Sequence, residues 1–455
     1  MDLQKSPKIG VIFAGIQEGA LGGGKANLEM LDNIINKITE KITQLFPNVK
    51  FSFYRVAGMS DALEALKQTY DVTGYIIFVL NSLFSDYMPI LRSGKPVILI
   101  GETYGGAGDL LLALAKGREE KLPVIGEIVR KVDDENLLRR YVNYLITIHK
   151  LKNSRLLLIV SPGAKRLAWS EYPLSVDLWA ALRNIQGLFG IDIVLMNSNE
   201  FIEKYYSKVD ENEARKVAEK WMKEAEEVIE EEIDEIMKSA KLYIAIKKAV
   251  KDFNVDAVAI DCIVLYWNKF LDAWPCLAFM ELIKNNEAVP VCEADIYSAV
   301  LLLIMKYLGN VPGFINDPSP DNQTDEIVYY HCFAPITPYG YGDGKKVPYK
   351  ITSAHLGVKR ASIYVELPLN ETITVAGLSP DQKILTIHTA KTIRNEYSQK
   401  ACAVKLIGKT NTKAIVNNWV RRAGWHRVVF YGDWREDLKN IAALLGLKVV
   451  EEDRI

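Results

Sequence analysis

Through the first third of the chain, short apolar runs alternate with stretches whose apolar residues recur at three- and four-residue spacing. The runs at 9–14, 51–56, 74–80 and 96–100 have few polar interruptions, as expected of strands buried on both faces. Between them, 28–45 and 59–69 carry the helical period. Strand and helix in alternation predict a parallel sheet covered on both sides.

The pattern restarts near 151. A buried-strand run at 155–160 ends in Ser161-Pro162-Gly163, a loop opener, and a helix at 177–188 and a strand at 191–196 follow. Residues 209–250 are helical with a dense Glu/Lys face, which reads as a solvated helix pair with i,i+4 charge pairs or as a partner surface. Short strands are expected at 256–263, 288–292, 313–316 and 327–330, with a helix at 294–308. From about 336 long helices vanish. Runs at 361–367, 371–378, 383–387, 402–406 and 426–431, separated by turn residues, suggest a barrel or sandwich, closed by a helix at 438–445 and a last short strand. The expected fold class is therefore α/β: two parallel-sheet, Rossmann-like α/β domains at 1–150 and 151–335, then a β-rich, barrel-like C-terminal domain at 336–455.

Length agrees, because 455 residues exceed one comfortable core. A formal net charge of -1 gives no sign of a phosphate-backbone partner, so nucleic acid is not expected. The five cysteines form no C-x-x-C pair and are odd in number, which predicts reduced, mostly buried thiols and a cytoplasmic setting. The first residues lack a signal-peptide layout and no run of 18 apolar residues occurs, so no membrane partner is expected. The glycines after the first strand, from Gly15 to Gly24, and at Gly105, Gly106 and Gly108 match neither G-x-G-x-x-G nor G-x-x-x-x-G-K-[ST]. Tight loops at strand ends account for them without a dinucleotide.

The candidate chemistry lies between 289 and 331. Glu293 follows a buried strand and opens a helix, and Asp317 follows a second strand and opens a Pro-rich turn. Carboxyl ends of parallel strands form ligand crevices, so both carboxylates can face one pocket. Taken singly, Glu293 also suits a helix N-terminus and Asp317 a turn before proline. Two carboxylates with a histidine make a plausible hard-cation set. Of the five histidines, His149 suits a helix C-terminus, His331 follows the run at 327–330, and His355 and His388 sit in loop or strand-end contexts. His426 alternates with Val428 and Phe430 on one strand face, where it is either a metal ligand or a satisfied core histidine.

The stretches CEADIYSAVLLLIMKYLGNVPGFIND…IVYYHCFAP and GWHRVVFYGD resemble the L-fucose isomerase family and, more distantly, the L-arabinose isomerases. The resemblance is strongest over 292–335 and 424–433. It implies an aldose–ketose isomerase whose divalent cation, most often Mn2+, is held by Glu293, Asp317 and His426. Glu293 and Asp317 would also be catalytic. His331 becomes a fourth ligand or a substrate contact; Trp425, Tyr297, Trp169 and Tyr339 are aromatics that could stack on a sugar face or serve as ordinary core residues. A homo-oligomer, possibly a hexamer with shared active sites, is implied as well. The chain is shorter than typical bacterial fucose isomerases, and the loops that would read distal hydroxyls are not matched.

The chemistry so implied is proton transfer between C1 and C2 of an open-chain sugar through a cis-enediol. One carboxylate moves the carbon-bound proton, and the other shuttles the proton between the two oxygens. Two accounts compete: a sugar receptor, which needs neither cation nor carboxylate pair, and a metal-assisted hydrolase or lyase, which would change the mass of its substrate.

Overall fold

The computed structural model describes residues 6–16, 25–81, 86–167, 176–229, 233–342, 344–355, 358–398 and 400–454. The chain divides into two compact units: Met1–Lys150 with Leu438–Leu447, and Leu151–Asp437 with Lys448–Ile455.

In the first unit, five strands form one parallel sheet: β1 (Lys8–Ala14), β2 (Lys50–Val56), β3 (Gly74–Val79), β4 (Val97–Glu102) and β5 (Val124–Val129). Their spatial order is β2-β1-β3-β4-β5. The fifth strand escapes the apolar-run pattern because Gly126 and Glu127 interrupt it and only Val124 and Ile125 are buried. The first glycine cluster lies largely outside the described residues.

The second unit begins with a parallel sheet of β6 (Arg155–Val160), β7 (Asp192–Asn197), β8 (Ala257–Ile260) and β9 (Val289–Val291), in the order β7-β6-β8-β9. The charged 209–250 stretch resolves into helices Glu211–Glu224 and Ile233–Phe253. Each buries one face, including Ala214, Ala218 and Trp221 on the first and Ala245, Ile246 and Ala249 on the second, while most of its charges stay at the surface and Glu235, 12% exposed, pairs with Arg360.

The β-rich region holds a closed ring. Its strands are β10 (Phe314–Asp321), β11 (Glu326–His331), β14 (Thr372–Ser379), β15 (Ile384–Asn395), β16 (Val404–Lys409) and β17 (Arg427–Tyr431). They pair antiparallel in the cycle β14-β17-β10-β11-β16-β15 and back to β14. A separate hairpin is formed by β12 (Tyr349–His355) and β13 (Val358–Val365), and β18 (Lys448–Glu451) adds in parallel to β15. Two ring strands, β10 and β11, come from sequence before 336, which the strand spacing alone did not associate with the later ones.

The 313–316 run is longer than expected. It continues through Pro318 and Pro320 to Asp321, where a turn had been predicted. Proline cannot donate to a ladder and is tolerated where a strand edge is free. Here β17 pairs only with Phe314, Ile315 and Asn316, so beyond Asn316 one edge of β10 has no partner from β17, and the alternating prolines fit there.

The helix Ile296–Gly309 joins the two layers. All ten residues from Ile296 to Met305 are buried, because it packs on β8 and β9 on one side and on β14 and β17 on the other. A helix covered all round needs the nearly continuous apolar sequence this one has. Gly313 then lets β10 approach closely, since a Cβ there would stand 2.5 Å from atoms of Leu302 and Val428.

Candidate metal centre

Three side chains converge from separate elements of the second unit. Glu293 lies in the turn Cys292–Ala294 directly after β9 and has φ 54° and ψ 26°, the left-handed region. His331 ends β11, on the alternating buried face that it shares with Ile327 and Tyr329. His426 immediately precedes β17, after the Gly424 turn. One ligand atom from each lies within 4.8 Å of the other two. His331 Nε2 stands 3.3 Å from Glu293 Oε1, and His426 Nε2 stands 3.6 Å from Glu293 Oε2. The imidazole planes meet at 80°, with centroids 5.4 Å apart.

Asp317 reaches the same place from β10, opposite Tyr330 on β11, with Oδ1 3.5 Å from His426 Nε2. It is outside the tight triad, whereas His331, assigned above to either a fourth ligand or the substrate, is inside it. Burial exceeds 95% for His331 and His426, while Glu293 and Asp317 keep 14% and 18% of their side chains open.

The donor set fits a divalent cation. Neither ring nitrogen of His331 has a hydrogen-bond partner, although the residue is 1% exposed. A buried polar atom without a partner costs about 1–3 kcal/mol, and coordination would relieve it. Two imidazoles with one or two carboxylates suit Zn2+, Mn2+ or a similar ion better than Ca2+.

His426 is held more firmly than His331. Its Nδ1 lies 3.0 Å from Oδ2 of Asp295, the residue that caps the helix Ile296–Gly309. Its backbone is fixed by Arg427, whose Nη1 donates to the carbonyls of His426 and Gly424 at 2.8 and 3.1 Å. Arg427 is fully buried, pairs through two nitrogens with Glu452 at 2.6 and 3.2 Å, and lies 3.8 Å over the Trp419 ring. Asn316, beside Asp317, donates to the carbonyls of Arg427 and Phe314, which ties β10 to β17 at the site.

The charges sort themselves by neighbour. Burial alone would raise Glu293, but His331 and then His426 outweigh it and hold the carboxyl below its ordinary range. Burial raises Asp317 despite His426 and His331. Burial would lower His426, yet Asp295, Asp317 and Glu293 push it up to about 9. Asp261, at the end of β8, is pushed up to about 7 by burial and by the Glu293 charge. A bound cation would reverse much of this logic, favouring ionised carboxylates and neutral imidazoles.

No family model matches the chain. Among curated proteins it is 26% identical over 275 residues to "Sulfoquinovose isomerase" of Clostridium sp. (strain MSTE9), covering 57% of this chain and 58% of that protein. The similarity is to a sugar isomerase. The chain thus spans less than two thirds of the length of the relative it matches.

The remaining candidates separate clearly. Trp425 is 49% exposed beside His426, donates from Nε1 to the Pro318 carbonyl and meets Tyr330 edge-on. Tyr297 is buried, Tyr339 packs on Tyr431 with its hydroxyl toward Glu371, and Trp169 lies outside the described residues. His388 is no strand-end residue: it sits inside β15, bonded to the Tyr329 hydroxyl and Glu452. His149 lies within the helix Glu135–Lys152 and shares a hydrogen bond with Thr73. All five cysteines are buried free thiols. No helix among the described residues is long and apolar enough to cross a membrane. Asp295 and Asp261 were not singled out from sequence. Asp261 carried the signal that marked Glu293, an acid at the end of an apolar strand run, whereas Asp295 fell in the first turn of the expected helix at 294–308 and nothing local tied it to His426.

Proposed function

We propose that the chain is a divalent-cation-dependent isomerase that interconverts an aldose and a ketose through a cis-enediol, in the manner of the fucose isomerases. The observation that carries this reading is the Glu293–His331–His426 cluster, with its unpartnered buried imidazole, flanked by the second carboxylate of Asp317. The sugar-isomerase relative supports the substrate class. Glu293, His426 and Asp317 would hold the cation, with His331 as a further ligand or a contact to the sugar. Mn2+ is the ion the resemblance favours. When bound, the cation supplies Lewis-acid polarisation of a carbonyl and adjacent hydroxyl oxygen, which acidifies the intervening C–H.

The chain's own groups do the proton work. Glu293, in the turn after β9, and Asp317, within β10, both approach Nε2 of His426, so one carboxylate takes the C2 proton and returns it to C1 while the other passes a proton between the oxygens. Their partial exposure gives a substrate access that the two histidines lack. Trp425, exposed at the same edge, offers an apolar ring face to a sugar. A homo-oligomer in the cytoplasm completes the reading.

The test is a panel of L-fucose, L-arabinose, their stereoisomers and sulfoquinovose in deuterium oxide, with and without Mn2+. Ketose formation and deuterium at the reacting carbon, both dependent on Mn2+, are expected for at least one sugar. A folded protein that holds Mn2+ but neither exchanges nor converts any sugar would refute the isomerase reading. Tight sugar binding after the cation is stripped would favour a receptor, and a product of changed mass a hydrolase or lyase.

A further inference from the structure

Asp295 makes four contacts that together leave its carboxylate one geometry. One oxygen, Oδ1, accepts from the backbone N–H groups of Tyr297 and Ser298 at 3.2 and 3.0 Å, which caps the helix Ile296–Gly309. The other, Oδ2, accepts from the Ser298 hydroxyl at 2.5 Å and faces His426 Nδ1 at 3.0 Å. Both residues are essentially buried, at 1% and 3% exposure. His331 has no comparable partner: both of its ring nitrogens lack a hydrogen bond.

We propose that Asp295 is a positioning residue that fixes the tautomer and ring plane of His426, so that Nε2 presents its lone pair to a cation. The inference rests on the cation-site reading above and adds a residue outside the ligand set. An ionised carboxylate only accepts hydrogen bonds, so the nitrogen facing it must carry the proton. In a neutral imidazole that leaves the other nitrogen, Nε2, unprotonated and free to ligate. Nε2 is the atom turned toward Glu293 and Asp317, at 3.6 and 3.5 Å. The helix cap thereby orients a ligand 131 residues further along the chain. Of the two histidines, His426 is pre-oriented by a carboxylate outside the ligand set, whereas His331 faces only Glu293, itself a candidate ligand, at 3.3 Å.

The test uses Mn2+ alone as probe, with calorimetry and manganese EPR on the wild type, Asp295→Asn and Ser298→Ala. Asparagine caps a helix about as well as aspartate, so the fold should persist, with a metal-free melting temperature lowered by loss of the buried charge that faces His426. Its amide nitrogen, however, donates toward Nδ1 and favours the proton on Nε2. Mn2+ affinity should therefore fall by roughly 10–100-fold, the usual effect of losing such an outer partner. Ser298→Ala, which spares the charge, should cost far less. Nitrogen NMR of histidine-labelled wild type loaded with diamagnetic Zn2+ gives an independent reading that does not need a variant to fold. A protonated Nδ1 with zinc on Nε2 of His426 is expected, and zinc on Nδ1 would overturn the inference. Unchanged Mn2+ affinity in folded Asp295→Asn would overturn it too, while leaving the cation site intact. Failure of the wild type to bind either metal would instead remove the cation reading and this inference with it.

Discussion

Glu293 occupies a backbone conformation that glycine reaches far more easily than glutamate. It and Ala294 both have φ near 54°, two left-handed residues in succession. Such residues cost about 1–3 kcal/mol each and persist where the surroundings over-determine them. Here the turn runs from β9 into a helix buried on all sides, and it swings the Glu293 carboxylate between two buried imidazoles. Replacing the carboxylate while keeping its shape isolates the chemistry from the strain. Glu293→Gln and Asp317→Asn are each expected to lower turnover by roughly 10²–10⁴-fold, the range for loss of a general acid or base. Wild-type rates of deuterium exchange in either variant, in protein shown to be folded, would take that residue out of the mechanism. At this scale much was legible: an acid at the end of an apolar run and a histidine within a strand pattern are local signals. The partners of those residues were not. His331 and His426 are brought together by pairing across the ring, and the hydrogen bond from His426 reaches Asp295 over a separation no window of sequence spans.

At the scale of elements, the site depends on how closely β14 and β17 approach. The strands pair from Ile373–Tyr431 through Ala376–Val428, and Gly377 follows directly. A Cβ at Gly377 would stand 2.8 Å from Arg427 Cδ and 2.8 Å from Thr386 Oγ1, so the missing side chain makes room for the guanidinium stem. Gly377→Ala is expected to cost about 1–3 kcal/mol by overpacking. It should also weaken Mn2+ binding, because the displaced guanidinium is what holds the carbonyls of Gly424 and His426. Denaturant titration and calorimetry check the two effects separately. Normal stability with weaker binding would mean that Arg427 moved without strain, and normal values of both would show that the space is not needed. Apolar runs predicted most of these strands, since a run is a local property. Ring closure could not be read in the same way: whether β14 pairs with β15, with β17 or with both depends on residues far apart. The prolines of β10 misled for a related reason, because a proline signals a turn unless a strand edge happens to be free.

For the molecule as a whole, the interior of the ring carries a charge network instead of a purely apolar fill. Glu452, after the last strand, meets Arg427 from β17 and His388 from β15, and His388 bonds onward to Tyr329 of β11. All four side chains are essentially inaccessible. Burial would raise Glu452, but Arg427 and His388 outweigh it and hold its carboxyl at about 2. A carboxyl depressed on folding contributes stability that is present above the unfolded value, near 4.5, and is lost as pH falls through the folded value. The span from 4.5 to 2 corresponds to on the order of 3 kcal/mol. At neutral pH, Glu452→Gln should be destabilised by about 3–5 kcal/mol, since it strands a buried guanidinium. The gap between wild type and variant should then narrow as the solution is acidified below pH 4.5, because the wild-type carboxyl is protonated toward the same neutral state. Denaturant midpoints of both proteins, measured stepwise from pH 7 downward, read this difference without interference from the other carboxylates they share. A gap that stayed constant to the acid limit of folding would mean that the difference between the two proteins does not come from the charge on Glu452.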